Sequence, residues 1–135
     1  MALTVNVSPK ELQRVAAACY EGQSLNVMLC NVGSSGYTSS STVSNWQSVE
    51  IASANGYTRA TTTIATGSYS NTNARYELPS YDAVFNASGS GFTYDTVVIW
   101  VGSATYPHSV ITETPSIVLL AGQTQTYRIS LNTDD

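Results

Sequence analysis

The sequence predicts a mainly β protein: a single-domain antiparallel β-sandwich of jelly-roll-like type with one short N-terminal α-helix. Three observations predict this fold class. A helix signature occurs once, many short segments carry alternating apolar residues, and turn signals rich in Gly, Ser and Asn separate those segments. With 135 residues the chain has the length of one domain, so we assign residues 1–135 to a single domain. An open β-barrel with one packed helix is the alternative architecture.

The helix is predicted over about residues 8–21, after a brief edge strand in "LTVNV". Ser8 can cap the helix, Pro9 suits its first position, and Glu11 completes a Ser-x-x-Glu capping box. Gly22 ends the segment. Residues with apolar character recur at helical spacing at Leu12, Val15, Ala16 and Cys19. The pattern predicts a short amphipathic helix with one face on the core.

Every segment after Gly22 is predicted to be β-structure. In the segment "SNWQSVEIAS", Trp46, Ser48 and Glu50 are predicted to share one face of a strand. The segment "ARYELPSYDAVFNA" is predicted to bend at Pro79. The segments, in order, are "SLNVMLCNV", "SNWQSVEIAS", "RATTTIAT", "ARYELPSYDAVFNA", "FTYDTVVIWVGS", "HSVITETPSIVLL" and "QTQTYRISLNT". Their number and spacing are typical of a β-sandwich.

The stretch "FNASGSGFTYDTVVIWVG" contains an unbroken run of five apolar residues, 97–101. A run without alternation predicts a central strand that is covered on both faces, with Trp100 as its largest core side chain. The preceding "SGSG" is predicted to form a hairpin turn that brings Phe85 and Phe92 side by side in the core. It lacks the following helix that would make it a phosphate loop.

Charge is scarce in this chain and hydroxyl groups are abundant. Charged residues make up 10% of the sequence, against about 25% in an average soluble domain, while 19 Ser and 17 Thr are present. The net charge is −4, and the five basic residues are scattered: Lys10, Arg14, Arg59, Arg75 and Arg128. Without a basic stripe, nucleic acid is not an expected partner. Neither a secretory leader nor a membrane-spanning segment is expected from the apolar pattern.

The residues that carry chemistry do not form a recognisable catalytic set. His108 is the only histidine, and no Gly-x-Ser-x-Gly motif is present. Asp82 and Asp95 would face each other across the "SGSG" hairpin, where a solvated rim is the more common role of such acids. Cys19 and Cys30 are expected to be buried free thiols, with a disulfide as the alternative. The sequence therefore predicts no enzyme, no metal and no cofactor.

Two uncharged segments, 33–44 and 65–74, are rich in Ser, Gly, Asn and Tyr. They are either solvent loops or recognition loops. Tyr37 and Tyr69 in these segments, and Tyr57 between them, would serve as rigid binding anchors. Strands with few charges at their edges also favour pairing with other chains. We therefore expect a homo-oligomer, with a trimer as one candidate form.

The second half of the chain, residues 75–131, resembles small structural proteins of tailed-phage virions, particularly those of phages of cyanobacteria. The resemblance rests on "FTYDTVVIWVG" and "LLAGQTQTYRISL", and the opening "MALTVNVSPKELQRVAAACYEG" is similar to the strand-then-helix start of such proteins. These are packing and turn patterns, so no functional residue is carried over. The resemblance implies a virion component that is assembled in the bacterial cytoplasm.

The resemblance favours a capsid decoration or cement protein that binds the major capsid protein or other virion proteins and stabilises the shell. The alternative is a tail or fibre component, such as an adaptor, a fibre attachment domain or a module that binds host-surface glycan through its tyrosines. A small polysaccharide hydrolase ranks third. Many weak, repeated contacts of a polar β-surface would suit the first role.

Overall fold

The computed structural model describes residues 14, 15, 17–33 and 35–131. Of these, 43% lie in strands, so the prediction of a mainly β, antiparallel protein is confirmed. The predicted edge strand in "LTVNV" and the capping box of Ser8 and Glu11 lie outside the described residues. Residues 14, 15, 17 and 18 are helical, as expected, but Val15 of the predicted apolar face is 49% exposed and Ala17 is buried in the core instead.

Eight strands are described, and they form one four-stranded and two two-stranded antiparallel sheets. The four-stranded sheet has the order β2-β1-β6-β7, and the two smaller sheets pair β3 with β4 and β5 with β8. The strands are β1 Ser24–Cys30, β2 Ala60–Thr63, β3 Ser68–Ser70, β4 Arg75–Glu77, β5 Tyr81–Asn86, β6 Phe92–Val101, β7 Ser109–Leu119 and β8 Thr124–Ile129.

The centre of the molecule is the β1–β6 pair, in which Leu29 lies opposite Val97 and Asn26 opposite Trp100. Residues 96–100 are all buried, and Val97 and Val98 are fully so although they point to opposite faces of the sheet. The prediction that this run forms a central strand covered on both faces is confirmed. Neither face needs an alternating pattern, because apolar side chains meet both of them.

Two hydrophobic cores cover the two faces of this pair. The larger core contains Leu29, Tyr57, Phe85 and Val97, with Phe92 partly buried against it. The smaller core consists of Met28, Cys30, Val43, Trp46, Val98 and Trp100. The predicted core positions Phe85 and Trp100 are therefore buried, at 2% and 5% exposed, although they lie in different cores.

The predicted strand over "SNWQSVEIAS" is wrong, because this segment begins with the helix α1, Val43–Gln47. Thr42 caps α1 by accepting a hydrogen bond from the Asn45 backbone N–H, and Asn45 Oδ1 accepts one from the Thr42 N–H in return. These local bonds satisfy backbone groups at the first turn and so favour a helix over an extended strand. The helix places Trp46 against the smaller core.

The predicted hairpin around "SGSG" is also wrong. Strand β5 pairs with β8, whereas β6 pairs with β1 and β7, so the turn carries the chain from one sheet to another. Gly91 has a φ of +74°, and a side chain there would collide with the Leu119 carbonyl oxygen. Phe85 and Phe92 instead meet at Tyr57, with ring centroids 6.0 Å and 5.8 Å from its ring.

The same change of sheet separates the two acids that were expected to face each other. Asp82 lies opposite Arg128 on β8. Asp95, on β6, accepts hydrogen bonds from the Val32 N–H at 2.8 Å and from the Thr96 hydroxyl at 2.9 Å. Asp95 thus holds the chain where it leaves β1, and the two carboxylates do not share a site.

Both cysteines are free, but only Cys30 is buried, so the expectation of a buried thiol is wrong for Cys19. Cys19 lies just after the helical residues, on their exposed side, and its thiol donates to the Val15 carbonyl. Cys30 lies at the end of β1 under Trp46, whose carbonyl accepts its S–H. Burial, with Glu50 and Asp95 nearby, raises the pKa of the Cys30 thiol to about 12.

Candidate binding groove

A groove of about 480 Å³ lies beside the smaller core, at the ends of β1 and β6. It combines residues from β1, α1, the segment before β2 and the turn after β6. Its lining residues are Ser24, Asn26, Val43, Ser44, Gln47, Arg59, Trp100, Gly102, Ser103, Ala104 and Thr105. Hydroxyl and amide side chains predominate, and among the described residues Arg59 is the only charged one in this lining.

Trp100 and Arg59 form one wall of the groove. Trp100 is 5% exposed because its ring packs into the smaller core on one side and is covered by Arg59 on the other. The Arg59 Cζ atom lies 5.1 Å from the ring centroid, within the range of a cation–π contact. The indole thus fixes the position of the guanidinium group.

Glu50 holds Arg59 through two hydrogen bonds. Arg59 Nη2 donates to Glu50 Oε1 at 2.6 Å, and Arg59 Nε donates to Glu50 Oε2 at 3.1 Å. This fork geometry is the strong, directional form of the Arg–carboxylate pair. The bonds to Glu50 raise the pKa of Arg59. Because the pair is neutral overall, the groove carries little net charge.

Tyr57 anchors this pair from the larger core. Its hydroxyl donates to Glu50 Oε2 at 2.6 Å and accepts the Leu29 backbone N–H at 3.1 Å. Burial, reinforced by the hydrogen bond to Glu50, raises the pKa of Tyr57, so the phenol stays protonated as a donor. A continuous chain of hydrogen bonds therefore runs from β1 through Tyr57 and Glu50 to Arg59 at the groove.

The other polar side chains of the groove fall into two sets. Asn26, 8% exposed, is fully engaged: its amide donates to Ser24 Oγ at 3.1 Å and its carbonyl accepts from Thr61 Oγ1 at 3.2 Å. In the part of the chain that the structure describes, the remaining polar side chains of the lining make no hydrogen bond. These are Ser44, Gln47, Ser103 and Thr105, and all of them are exposed.

The three tyrosines predicted as binding anchors lie in different environments. Tyr57, 1% exposed, is not a surface anchor, because the turn at Asn55 and Gly56 directs its ring into the larger core. Tyr37 is half-buried, with its ring centroid 5.8 Å from that of Trp46. Tyr69 is exposed on β3, opposite Tyr76. The structure does not bring these three residues together.

The residues that build the groove were not predicted from the sequence. Glu50 and Arg59 carry opposite charges and lie nine residues apart in a chain with few charged residues. This pattern was the one sequence feature that could have indicated their ion pair. Gln47, Ser103 and Thr105 carry no pattern that distinguishes them from other polar residues of the chain. His108, set aside as a catalyst, contacts the Tyr20 ring and the Ser109 hydroxyl.

A second exposed feature is strand β7, an edge of the four-stranded sheet whose one strand partner among the described residues is β6. Ile111 and Val118 on β7 are 39% and 56% exposed, and Leu120 follows at 57%. The register shifts opposite Asp95, so β7 bulges at residues 113–116. Glu113, its one charged residue, accepts a hydrogen bond from the Tyr127 hydroxyl at 3.2 Å.

Within the described residues, no group of three or more His, Cys, Asp or Glu side chains is placed to hold a metal ion. No helix among them has the length and apolar character needed to cross a membrane. Comparisons with models of protein families, with curated proteins and with solved structures find no match for this chain.

Proposed function

We propose that the protein is a structural component of a tailed-phage virion and that it binds the outer capsid surface as a decoration or cement protein. The observation that carries this proposal is the edge strand β7. It exposes Ile111 and Val118, and its single charge, Glu113, is held by Tyr127. Edges of soluble proteins are usually blunted by exposed charges, so a nearly uncharged edge that exposes two apolar side chains is suited to contact with another protein.

The bulge at residues 113–116 determines how such a contact would form. It interrupts the edge and contains Pro115, which offers no backbone N–H, so another strand cannot pair along the whole of β7. The contact would instead use the apolar side chains on either side of the bulge. Individually weak contacts of this kind hold firmly when they repeat on a symmetric shell. The same edge supports self-association into the proposed homo-oligomer.

We also infer that the sheets pack as a β-sandwich within a single domain. One face of the β1–β6 pair and the β5–β8 pair contribute to the same larger core, through residues such as Val97 and Phe85. Face-to-face packing of antiparallel sheets around shared inward side chains is the arrangement of a sandwich. Such a body presents its loops and edges outward, which suits a protein that covers a surface.

Reconstitution on capsids from which the protein has been stripped tests this function. We expect the purified protein to rebind and to raise the melting temperature of the shell. The double variant Ile111→Lys/Val118→Lys should remain folded and lose this binding, because two charges would have to be buried at the contact. Val84→Lys is the matched control, since Val84 is 47% exposed on β5. Failure of the native protein to rebind would refute the proposal.

A tail or fibre component is the second candidate, and the exposed Tyr69 on the β3–β4 hairpin favours it. An exposed aromatic ring among Ser and Asn residues suits contact with host-surface glycan. Counting copies per particle separates the two functions, because decoration requires many copies across the shell and a tail ring only a few. Glycan binding that is lost in Tyr69→Ala or Tyr37→Ala would support the tail function, and localisation in a virion density map decides between them.

A further inference from the structure

We propose that the groove beside Trp100 is a binding site for a neutral saccharide. This site differs from the capsid contact proposed at β7, since none of the residues that line it belongs to β7. It also does not contain Tyr69 or Tyr37. The volume of about 480 Å³ lies within the range of small-molecule sites and accommodates a short oligosaccharide.

The charge of the groove argues for an uncharged ligand. Arg59 is the one charged side chain among the described residues that line it, and Glu50 neutralises it through two hydrogen bonds of 2.6 Å and 3.1 Å. A phosphate or nucleotide would have to compete with this carboxylate for the same guanidinium group. Sites for such anions normally supply several cationic or backbone donors, and the described residues of this lining supply no second cation.

The polar side chains of the groove argue for a ligand with many hydroxyl groups. Gln47 offers both an amide donor and a carbonyl acceptor, while Ser44, Ser103 and Thr105 offer hydroxyls that can donate or accept. Within the described chain these four side chains have no intramolecular hydrogen bond, so water is their partner in the free protein. A saccharide hydroxyl can replace such a water without leaving a polar group unsatisfied.

The wall of the groove is rigid, which reduces the entropy lost on binding. Arg59 is fixed by the Trp100 ring and by Glu50, and Glu50 is fixed in turn by the buried Tyr57 hydroxyl. Tyr57 itself is bonded to the β1 backbone at Leu29. The guanidinium N–H groups that Glu50 does not use are therefore held in place, as a preorganised site requires.

Nuclear magnetic resonance titration with neutral disaccharides tests the proposal on the native protein. Lactose, maltose and cellobiose are the probes, with a uronic-acid disaccharide and inorganic phosphate as charged comparisons. The chain contains two tryptophans, and Trp46 does not line the groove. We expect at least one neutral probe to shift the Trp100 indole signal and the Gln47 amide signal while the Trp46 indole signal stays in place. Trp46→Phe assigns the two indole signals.

Two variants test the residues. Gln47→Ala and Thr105→Ala are each expected to weaken binding of that probe about fivefold, as the loss of one net hydrogen bond implies. Thr126→Ala is the matched control, because Thr126 is exposed on β8 and outside the groove. The proposal is overturned if no neutral probe shifts the groove signals, if only the charged probes do so, or if Gln47→Ala and Thr105→Ala bind as the native protein does. Capsid rebinding by these two variants should be unchanged, which separates this site from the one at β7.

Discussion

The two faces of the β1–β6 pair carry similar apolar side chains but are covered in different ways. On one face, Leu29 and Val97 meet side chains from β5 and β8, together with Tyr57 and Ile64. On the other face, Met28 and Val98 are covered mainly by Val43 and Trp46 of the five-residue helix α1. The first cover is part of a sheet, whereas the second is one turn of helix and its flanking loops.

This difference explains where the groove lies. A short helix cannot cover the whole face of a strand pair, so the part of the smaller face beyond Trp46 is left to polar residues around Trp100. The hydrogen-bond chain from Tyr57 through Glu50 to Arg59 joins the two faces of the β1–β6 pair. It does so just before the first residue of β2. The larger core thereby stabilises a site that is located on the less covered face.

Trp46 provides the strongest test of this comparison. We expect Trp46→Ala to lower the free energy of unfolding by about 3–5 kcal/mol, because the ring is 1% exposed and its removal leaves a cavity over Cys30. Trp46→Phe should lower the free energy of unfolding less, because it retains an aromatic ring in the smaller core. It still loses the hydrogen bond from Trp46 Nε1 to the Thr38 carbonyl. Urea denaturation measures both. A loss below about 1 kcal/mol in Trp46→Ala would show that the smaller core contributes little to stability.

Tyr57→Phe tests the link between the two faces. Removing the hydroxyl leaves the buried Leu29 N–H without this acceptor and deprives Glu50 of a donor, so we expect a loss of about 1–3 kcal/mol. Tyr37→Phe is the matched control, because the Tyr37 hydroxyl makes one long contact of 3.4 Å with Ser48. Equal stability of the two variants in urea denaturation would contradict the role given to Tyr57.

The strands could be predicted from the sequence because their signal is local. Alternating or continuous apolar residues located β1, β6 and β8, and Pro79 marked the bend between β4 and β5. The partner of each strand is a non-local property, and the expected β5–β6 hairpin was wrong because β5 finds its partner in β8, far along the chain. Nothing within the "SGSG" turn distinguishes a hairpin from a passage between two sheets.

The groove could not be predicted for a related reason. Its residues come from separate segments that only the folded chain brings together: Ser24 and Asn26, the helix α1, Arg59, and the turn after Trp100. Helix α1 itself was missed because the Thr42–Asn45 bonds outweigh a strand-like pattern of side chains. Tyr57 was predicted to be a binding anchor together with Tyr37 and Tyr69, although the turn at Asn55 and Gly56 directs its ring inward.

The reaction rates of the two thiols test how well helix α1 shields the smaller core from solvent. A thiol reagent should modify the exposed Cys19 rapidly and Cys30 only when the protein unfolds. Burial raises the pKa of Cys30 from 9.0 to about 12. The Cys30 thiol therefore contributes fully to the free energy of unfolding below pH 9.0. This contribution is lost as the pH rises toward 12, because in that interval the thiol ionises only in the unfolded protein.

The slope of this loss is about 1.4 kcal/mol per pH unit above 9.0. Cys30→Ala removes the group and isolates its effect from that of the tyrosines, so the difference in unfolding free energy between the native protein and this variant should shrink as the pH rises. Rapid labelling of Cys30 in the folded protein would show that α1 opens readily and that the smaller face is not closed.

Arg59→Met is expected to have the smallest effect on stability. The variant keeps an apolar stem against Trp100 and loses the ion pair with Glu50, whose partners are 36% and 16% exposed. Because solvent screens such a pair, we expect a loss of about 0.5–1 kcal/mol that diminishes at high salt. Arg128→Met, on the exposed side of β8, is the matched control. A loss that does not depend on salt would mean that Arg59 acts through packing on Trp100, so that the groove wall would be held by the indole ring and not by the link to the larger core.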